Sequence, residues 1–199
     1  MPRAGLNTDR VVVAAMELAD EVGLDKLTLA ALAVRLGVRQ PSLYKHVASL
    51  DALQRLISMR GKAEAADVLA QAAIGRARDD ALVAMAWAWR AWALAHPGRY
   101  QASQRGAAPG DAEHEQVARR SIRVLAAVID GYGLTGDDAI DAIRAYRAAL
   151  HGFVALEADN GFALPNDVER SFDRLVHALV LTLSSWSSVS GPGREVPTR

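Results

Sequence analysis

The segment Thr28 to Val47, TLAALAVRLGVRQPSLYKHV, constrains this chain most, because its local chemistry fits two short helices meeting at a sharp corner. Thr28 is a helix-capping residue, and Leu29, Leu32, Ala33 and Leu36 follow at the i, i+3, i+4, i+7 spacing of one buried stripe. Gly37 ends that helix. Lacking a Cβ, it enters the left-handed conformation that turns the chain, and Val38 can plug the corner. A second helix starts at once, since Pro41 suits a first turn where no amide donor is needed, and Leu43 and Val47 share a face. The opposite side carries Pro41, Ser42 and Lys45, flanked by Tyr44 and His46, over roughly 12 Å of helix. Such a helix fits the major groove of DNA, N-terminal end first. Small Ala33 lets the two helices approach closely, and Arg35, Arg39, Lys45, Arg55 and Arg60 outnumber the lone Asp51 between Thr28 and Arg60. In an ordinary bundle, exposed Tyr44 and His46 would have no packing purpose.

Gln40, Pro41, Ser42, Leu43, Tyr44, His46 and Val47 resemble the recognition helix of the TetR family of one-component bacterial repressors, with Ser42 in place of threonine. The resemblance implies that Thr28, Arg39, Gln40, Pro41, Ser42, Tyr44, Lys45 and His46 contact double-stranded operator DNA. Gln40, Pro41, Ser42 and Tyr44 would face bases, while Thr28, Lys45 and His46 would hold phosphates. Two positions depart from the family pattern: Ala30 stands where an arginine can reach a base, and Leu50 where many members have a phosphate-binding lysine.

Apolar residues make up 51% of the 199-residue chain, enough for a largely helical, folded protein with a small module joined to a larger one. Cysteine is absent, which excludes disulfides, thiolate metal sites and cysteine nucleophiles. No secretory leader or membrane-length apolar run is visible, so a cytoplasmic protein without a membrane partner is expected. Net charge is zero, but residues 1–60 hold 8 basic against 6 acidic side chains and residues 106–199 hold 9 against 13. That asymmetry permits a phosphate-rich partner at the N-terminal end without requiring one.

The pattern along the chain predicts an all-α fold of about nine helices: an N-terminal three-helix helix-turn-helix DNA-binding domain (1–50), a C-terminal helical ligand-binding and dimerisation domain (51–189), and a disordered tail (190–199). Thr8 is expected to cap a helix to about Val22, Ser49 one to about Ala73, and Asp79 or Asp80 one to about His96. The last of these is apolar nearly all round and should be central. After a short turn holding Tyr100, helices are expected from Asp111 to about Tyr132, from Thr135 or Asp137 to about Asp159, and from Asn166 or Asp167 to about Ser188.

The final helix has a stripe through Phe172, Leu175, Val176, Leu179, Leu183 and Trp186, and Val180 and Leu181 make its middle apolar on the opposite face too. One face suffices for a core, so the other predicts a homodimer, with Ile143, Leu150, Leu175, Leu179, Leu183 and Trp186 at the seam. Met85, Trp89, Trp92, Tyr100, Tyr146, His151 and Phe153 are candidates to line a ligand cavity, against the simpler alternative of core packing. The stretches RAWALAHPGRYQ and LHGFVALE resemble the TetR subgroup with a Trp-His-Gly signature, here with Leu150 in the tryptophan's place; this resemblance implies a small-molecule inducer.

The five histidines show no metal-ligand spacing, and neither a G-x-S-x-G motif nor a phosphate loop is present, so no metal, cofactor or catalytic residue is expected. The leading expectation is therefore a repressor that binds a palindromic operator as a homodimer and is released by an inducer. Its rivals are a helical enzyme using the aromatic cavity and a ligand-independent DNA-binding protein.

Overall fold

The computed structural model describes residues 6–186, and the expected tail lies outside them. Within them are eight α-helices: α1 (Thr8–Val22), α2 (Leu29–Leu36), α3 (Leu50–Ala73), α4 (Arg78–Ala95), α5 (Pro97–Ser103), α6 (Ala112–Asp130), α7 (Gly136–Ala158) and α8 (Val168–Ser184). Two 3-10 helices, Leu24–Lys26 and Gln40–Lys45, complete the all-α fold. The first, between α1 and α2, is not among the helices that the sequence predicts.

Side-chain caps set most helix starts. Thr28 accepts the Ala31 N–H at 3.1 Å, Ser49 the Ala52 N–H at 3.0 Å, and Asp111 the His114 N–H at 3.1 Å. At α1 the cap is Asn7 rather than Thr8: Asn7 Oδ1 accepts from Arg10 N at 2.8 Å, and Thr8 Oγ1 instead donates to the His46 carbonyl at 3.3 Å. An asparagine one residue earlier satisfies the same free amides, which releases the threonine to tie α1 to the segment after Gln40–Lys45. The start of α4 has no side-chain cap; Asp79 and Asp80 lie in its first turn, where negative charge suits the helix dipole.

Two apolar cores result. The N-terminal one gathers Val11, Ala15 and Met16 of α1, Leu32 of α2, Leu43, and Leu53 and Ile57 of α3. The second surrounds α4, whose Leu82, Met85 and Ala86 are fully buried, with Ile129 of α6 and Phe172 and Val176 of α8. Helix α3 contributes to both, since Ala65 belongs to the second core. Val22, the last residue of α1, is 39% exposed.

Helix α5 locks the two cores together. A Cβ at Gly98 would lie 2.2 Å from the Ala19 carbonyl carbon, so α5 rests directly on the α1 backbone. On the other side a Cβ at Gly61 would come within 2.8 Å of the Arg99 carbonyl oxygen. The Arg99 N–H donates to Asp20 Oδ1 at 2.9 Å, and its guanidinium sits beside the same carboxylate. Ala102 packs into the N-terminal core.

The faces of α7 and α8 differ in part from the expectation. Phe172, Val176, Val180 and Leu183 are buried, and Leu181 is exposed. Val180 therefore belongs to this chain's own core, and Leu175, Leu179 and Trp186 lie half-buried beside it. Within the single chain Leu150 and Leu183 are buried too, and half-buried Ile143 turns inward. The physical reason is the helical step: residues three and four apart share a face, so Val176, Val180 and Leu183 point together and carry Leu183 inward. The outer side of α7 instead shows Ala145, Ala148, Gly152 and Leu156.

Candidate nucleic-acid interface and ligand cavity

The corner after α2 forms as its residues dictate. Gly37 adopts φ 66°, ψ 31°, and the Val38 N–H bonds to the Ala33 carbonyl at 3.0 Å, closing the helix end. The following segment is a tight 3-10 helix, Gln40–Lys45, rather than the α-helix that the spacing of Leu43 and Val47 predicts. Those two side chains are nonetheless both buried, because Val47 N also bonds to the Leu43 carbonyl in α-helical fashion. Arg39, Gln40, Pro41, Tyr44 and Lys45 are exposed, and Ser42 and His46 half-buried. Thr28 is exposed at the α2 N-terminus, with its oxygen engaged in the cap.

Charge here is more selective than the sequence count implies. Arg35 is held by Glu17 and Glu21, Arg55 by Asp111 and Glu113, and Arg60 by Asp9. The bidentate contact of Arg55 holds Asp111 well below the usual carboxylate range, at about 2. These three arginines fasten helices together and are no longer free for phosphates. Among the described residues no ion pair engages Arg39 or Lys45, so of the five cations between Thr28 and Arg60 these two, on either side of Gln40, are left open.

The larger domain contains a cavity of about 150 Å³. Lys62, Ala65 and Leu69 of α3 form one wall, and Ser121, Ile122 and Leu125 of α6 another. Trp89 of α4, Ser103 and Gln104 near the end of α5, and Ile143, Tyr146, Arg147 and Leu150 of α7 close it. Of the expected lining, Trp89 and Tyr146 reach this space. Met85, Trp92, Tyr100, His151 and Phe153 do not, because neighbouring side chains occupy their faces. Met85 is wholly buried in the core. Tyr100 packs edge-on against Trp89 and Trp92 and its hydroxyl bonds to His151 Nδ1. Phe153 packs against Phe162 and Phe172. Ile143 and Leu150, expected at a seam, also line the cavity.

Its two charged residues, Lys62 and Arg147, are not among those that the sequence singles out. Lys62 Nζ donates to Ser58 Oγ at 3.0 Å and to the Ser103 and Arg105 carbonyls. Burial, with Arg147 and Arg105 nearby, pushes its ammonium down to about 8. Arg147 is exposed and donates to Gln104 Oε1 at 3.2 Å. Tyr146 Oη donates to the Leu82 carbonyl at 2.6 Å, and burial raises its pKa. A lysine in a helix that also carries alanines and leucines was the available signal, but which of its faces borders a void depends on four other helices.

Behind Lys62, Ser58 Oγ lies 3.1 Å from His114 Nε2, and His114 Nδ1 lies 3.8 Å from Asp111 Oδ2. The order Ser, His, Asp superficially suits nucleophilic catalysis. However, Ser58 is completely buried, it does not border the cavity, and Asp111 is committed to Arg55. The group is a buried polar bridge between α3 and α6. Among the described residues no cluster of three or more metal-ligating side chains occurs, and no helix is long and apolar enough to cross a membrane.

Comparison with known proteins agrees with this anatomy. Residues 11–57 match the family model described as bacterial regulatory proteins, tetR family, and residues 82–179 match a tetracyclin repressor-like C-terminal domain. The second description does not mention the expected Trp-His-Gly subgroup. A Mycobacterium tuberculosis protein described as an uncharacterized HTH-type transcriptional regulator is 42% identical over 155 residues, covering 77% of this chain and 71% of that one. The HTH-type regulator YobS of Bacillus subtilis is 33% identical over 171 residues, covering 85% and 88%. Among solved structures, TetR from Acinetobacter baumannii superimposes with a TM-score of 0.69 at 22% identity, covering 92% of this chain and 98% of that one. A variant of that protein was crystallised in complex with minocycline. A reading head with open cations, a helix shared by two cores and family matches over both parts lead to one conclusion: the chain belongs to the TetR family of helix-turn-helix transcriptional regulators.

Proposed function

We propose that this protein is a ligand-released repressor that acts in the cytoplasm, has no enzymatic turnover, and covers a palindromic operator as a homodimer. Residues 1 to about 50 form the reading head, and residues 51–189 dimerise and sense. Gln40, Pro41, Ser42 and Tyr44 meet base edges, while Thr28, Arg39, Lys45 and His46 hold the backbone. The outer sides of α7 and α8 pair with a second copy through Ala145, Ala148, Gly152, Leu175, Leu179 and Trp186.

The observation that carries this reading is the double membership of α3. Its first turns, with Leu53 and Ile57, pack into the core of the reading head, and Lys62, Ala65 and Leu69 of the same helix form a cavity wall. An occupant that displaces this wall tilts the head. Two heads must sit one DNA turn apart, roughly 34–36 Å, so a small tilt in each subunit spoils the fit. The minocycline complex of the Acinetobacter variant supports a ligand site within this fold.

The test is to select operator sequences from a random duplex library with the full chain, then titrate them by fluorescence anisotropy while measuring complex mass. An enriched inverted repeat bound by two chains is expected. Enrichment of no sequence, or binding by a single chain, would overturn the reading.

A further inference from the structure

The cavity contains an electrostatic imbalance. Lys62 and Arg147 both line it, and its lining includes no aspartate or glutamate. Among the described residues neither cation has a carboxylate partner, whereas Arg105 pairs with Asp51, Arg99 with Asp20 and Glu64, and Arg120 with Asp67. Two like charges on one small space repel each other, and Arg147 indeed disfavours the charged form of Lys62. In a fold where so many other cations are neutralised, this pair lacks an anion.

The donors also differ in availability. All three Lys62 N–H groups are given to Ser58, Ser103 and Arg105, so Lys62 offers charge at the wall rather than a free donor. Arg147 gives one N–H to Gln104 and keeps the rest of its planar fork, a geometry that matches a carboxylate in bidentate fashion. Around these cations much of the lining is apolar, with Trp89, Leu69, Leu125 and Ile143. A cavity near 150 Å³ is the size that holds one benzene-like body.

We propose that this cavity binds a small organic acid with a single-ring or branched apolar body, its carboxylate on Arg147 in the field of Lys62 and its body against Trp89 and Leu125. The proposal rests on the sensing role assigned to the cavity above and specifies the chemistry of the effector.

The probes are phenylacetate, its neutral isostere phenylacetamide and inorganic phosphate, each titrated calorimetrically into the full chain at pH 7. Phenylacetate should bind at least about tenfold more tightly than the amide, since only the acid gains a charge-assisted pair, and phosphate should bind weakly for lack of a body. Arg147→Gln, at an exposed position that does not threaten folding, should reduce affinity for the acid about tenfold and leave the amide unchanged, with Arg147→Lys in between. Equal binding of acid and amide, phosphate as tight as phenylacetate, an equal effect of Arg147→Gln on both, or no binding of the acid would each overturn the proposal. Operator binding is measured separately: if the acid binds through Arg147 yet leaves operator affinity unchanged, the anion site stands and the inducer reading falls.

Discussion

Ser58 Oγ and His114 Nε2 meet 3.1 Å apart between α3 and α6, each almost wholly buried. Burial and the nearby Lys62, Arg55 and Arg105 lower the imidazole pKa below its ordinary 6.5, and Asp111 only partly opposes them. The unfolded chain therefore takes up a proton at this residue at a pH where the folded chain does not. Stability is full above 6.5 and declines as pH falls through that value, until the folded ring titrates in turn. Urea midpoints at pH 7.5, 6.5 and 5.5 should decline for the parent chain and decline less for His114→Gln, which keeps a hydrogen-bonding group but cannot titrate. Parallel declines would assign the effect elsewhere.

Gly98→Ala tests the joint between α5 and α1. The added methyl would meet the Ala19 backbone, which has no flexible side chain to yield, so the two helices must separate. The cost should be about 3 kcal/mol, lowering Tm by roughly 10 °C in thermal denaturation. A Tm within a degree of the parent would show that the contact is looser than described.

Base reading and phosphate holding should separate experimentally. Gln40→Ala is expected to cost about 1–3 kcal/mol and relax preference at one base pair per half-site, because a bidentate pair with adenine is lost. Lys45→Ala should weaken all sequences alike and flatten the salt dependence. Identical sequence profiles and salt slopes for the two variants would refute the division.

Ala148→Glu tests the proposed pairing of α7 and α8 with a second copy. Ala148 is exposed in the single chain, so folding should be unaffected, whereas a symmetric seam would bury two like charges at a cost of several kcal/mol. Light scattering should show dimers converted to monomers. A variant still dimeric would move the seam away from this face.

The sequence made helix starts readable wherever a short polar side chain caps its own helix, as Thr28, Ser49 and Asp111 do, because that interaction spans three residues. The Asn7 cap is not legible in this way, since Thr8 is also a good cap and the choice depends on His46, 38 residues away. The exposure of Arg39, Gln40, Pro41, Tyr44 and Lys45 is legible for the same local reason, although the 3-10 winding of Gln40–Lys45 is not. The cavity was far less accessible to sequence reasoning. Periodicity tells which side of a helix is apolar but not whether another helix fills the space beside it. Trp92, Tyr100 and His151 thus pack in a row and Phe153 packs on Phe162 and Phe172, while Ile143 and Leu150 border the void.

The close seat of Gly98 on Ala19, with Asp20 holding Arg99, also limits how such chains can be recombined. A head grafted from one relative onto the body of another inherits half of a fitted joint, and a bulkier residue on either side would prise it apart. Useful crossovers must therefore carry residues 19–20 and 98–99 from the same parent, although some 80 positions separate them in the chain. New specificities built by swapping heads would then come as two-segment exchanges rather than as a single cut in α3.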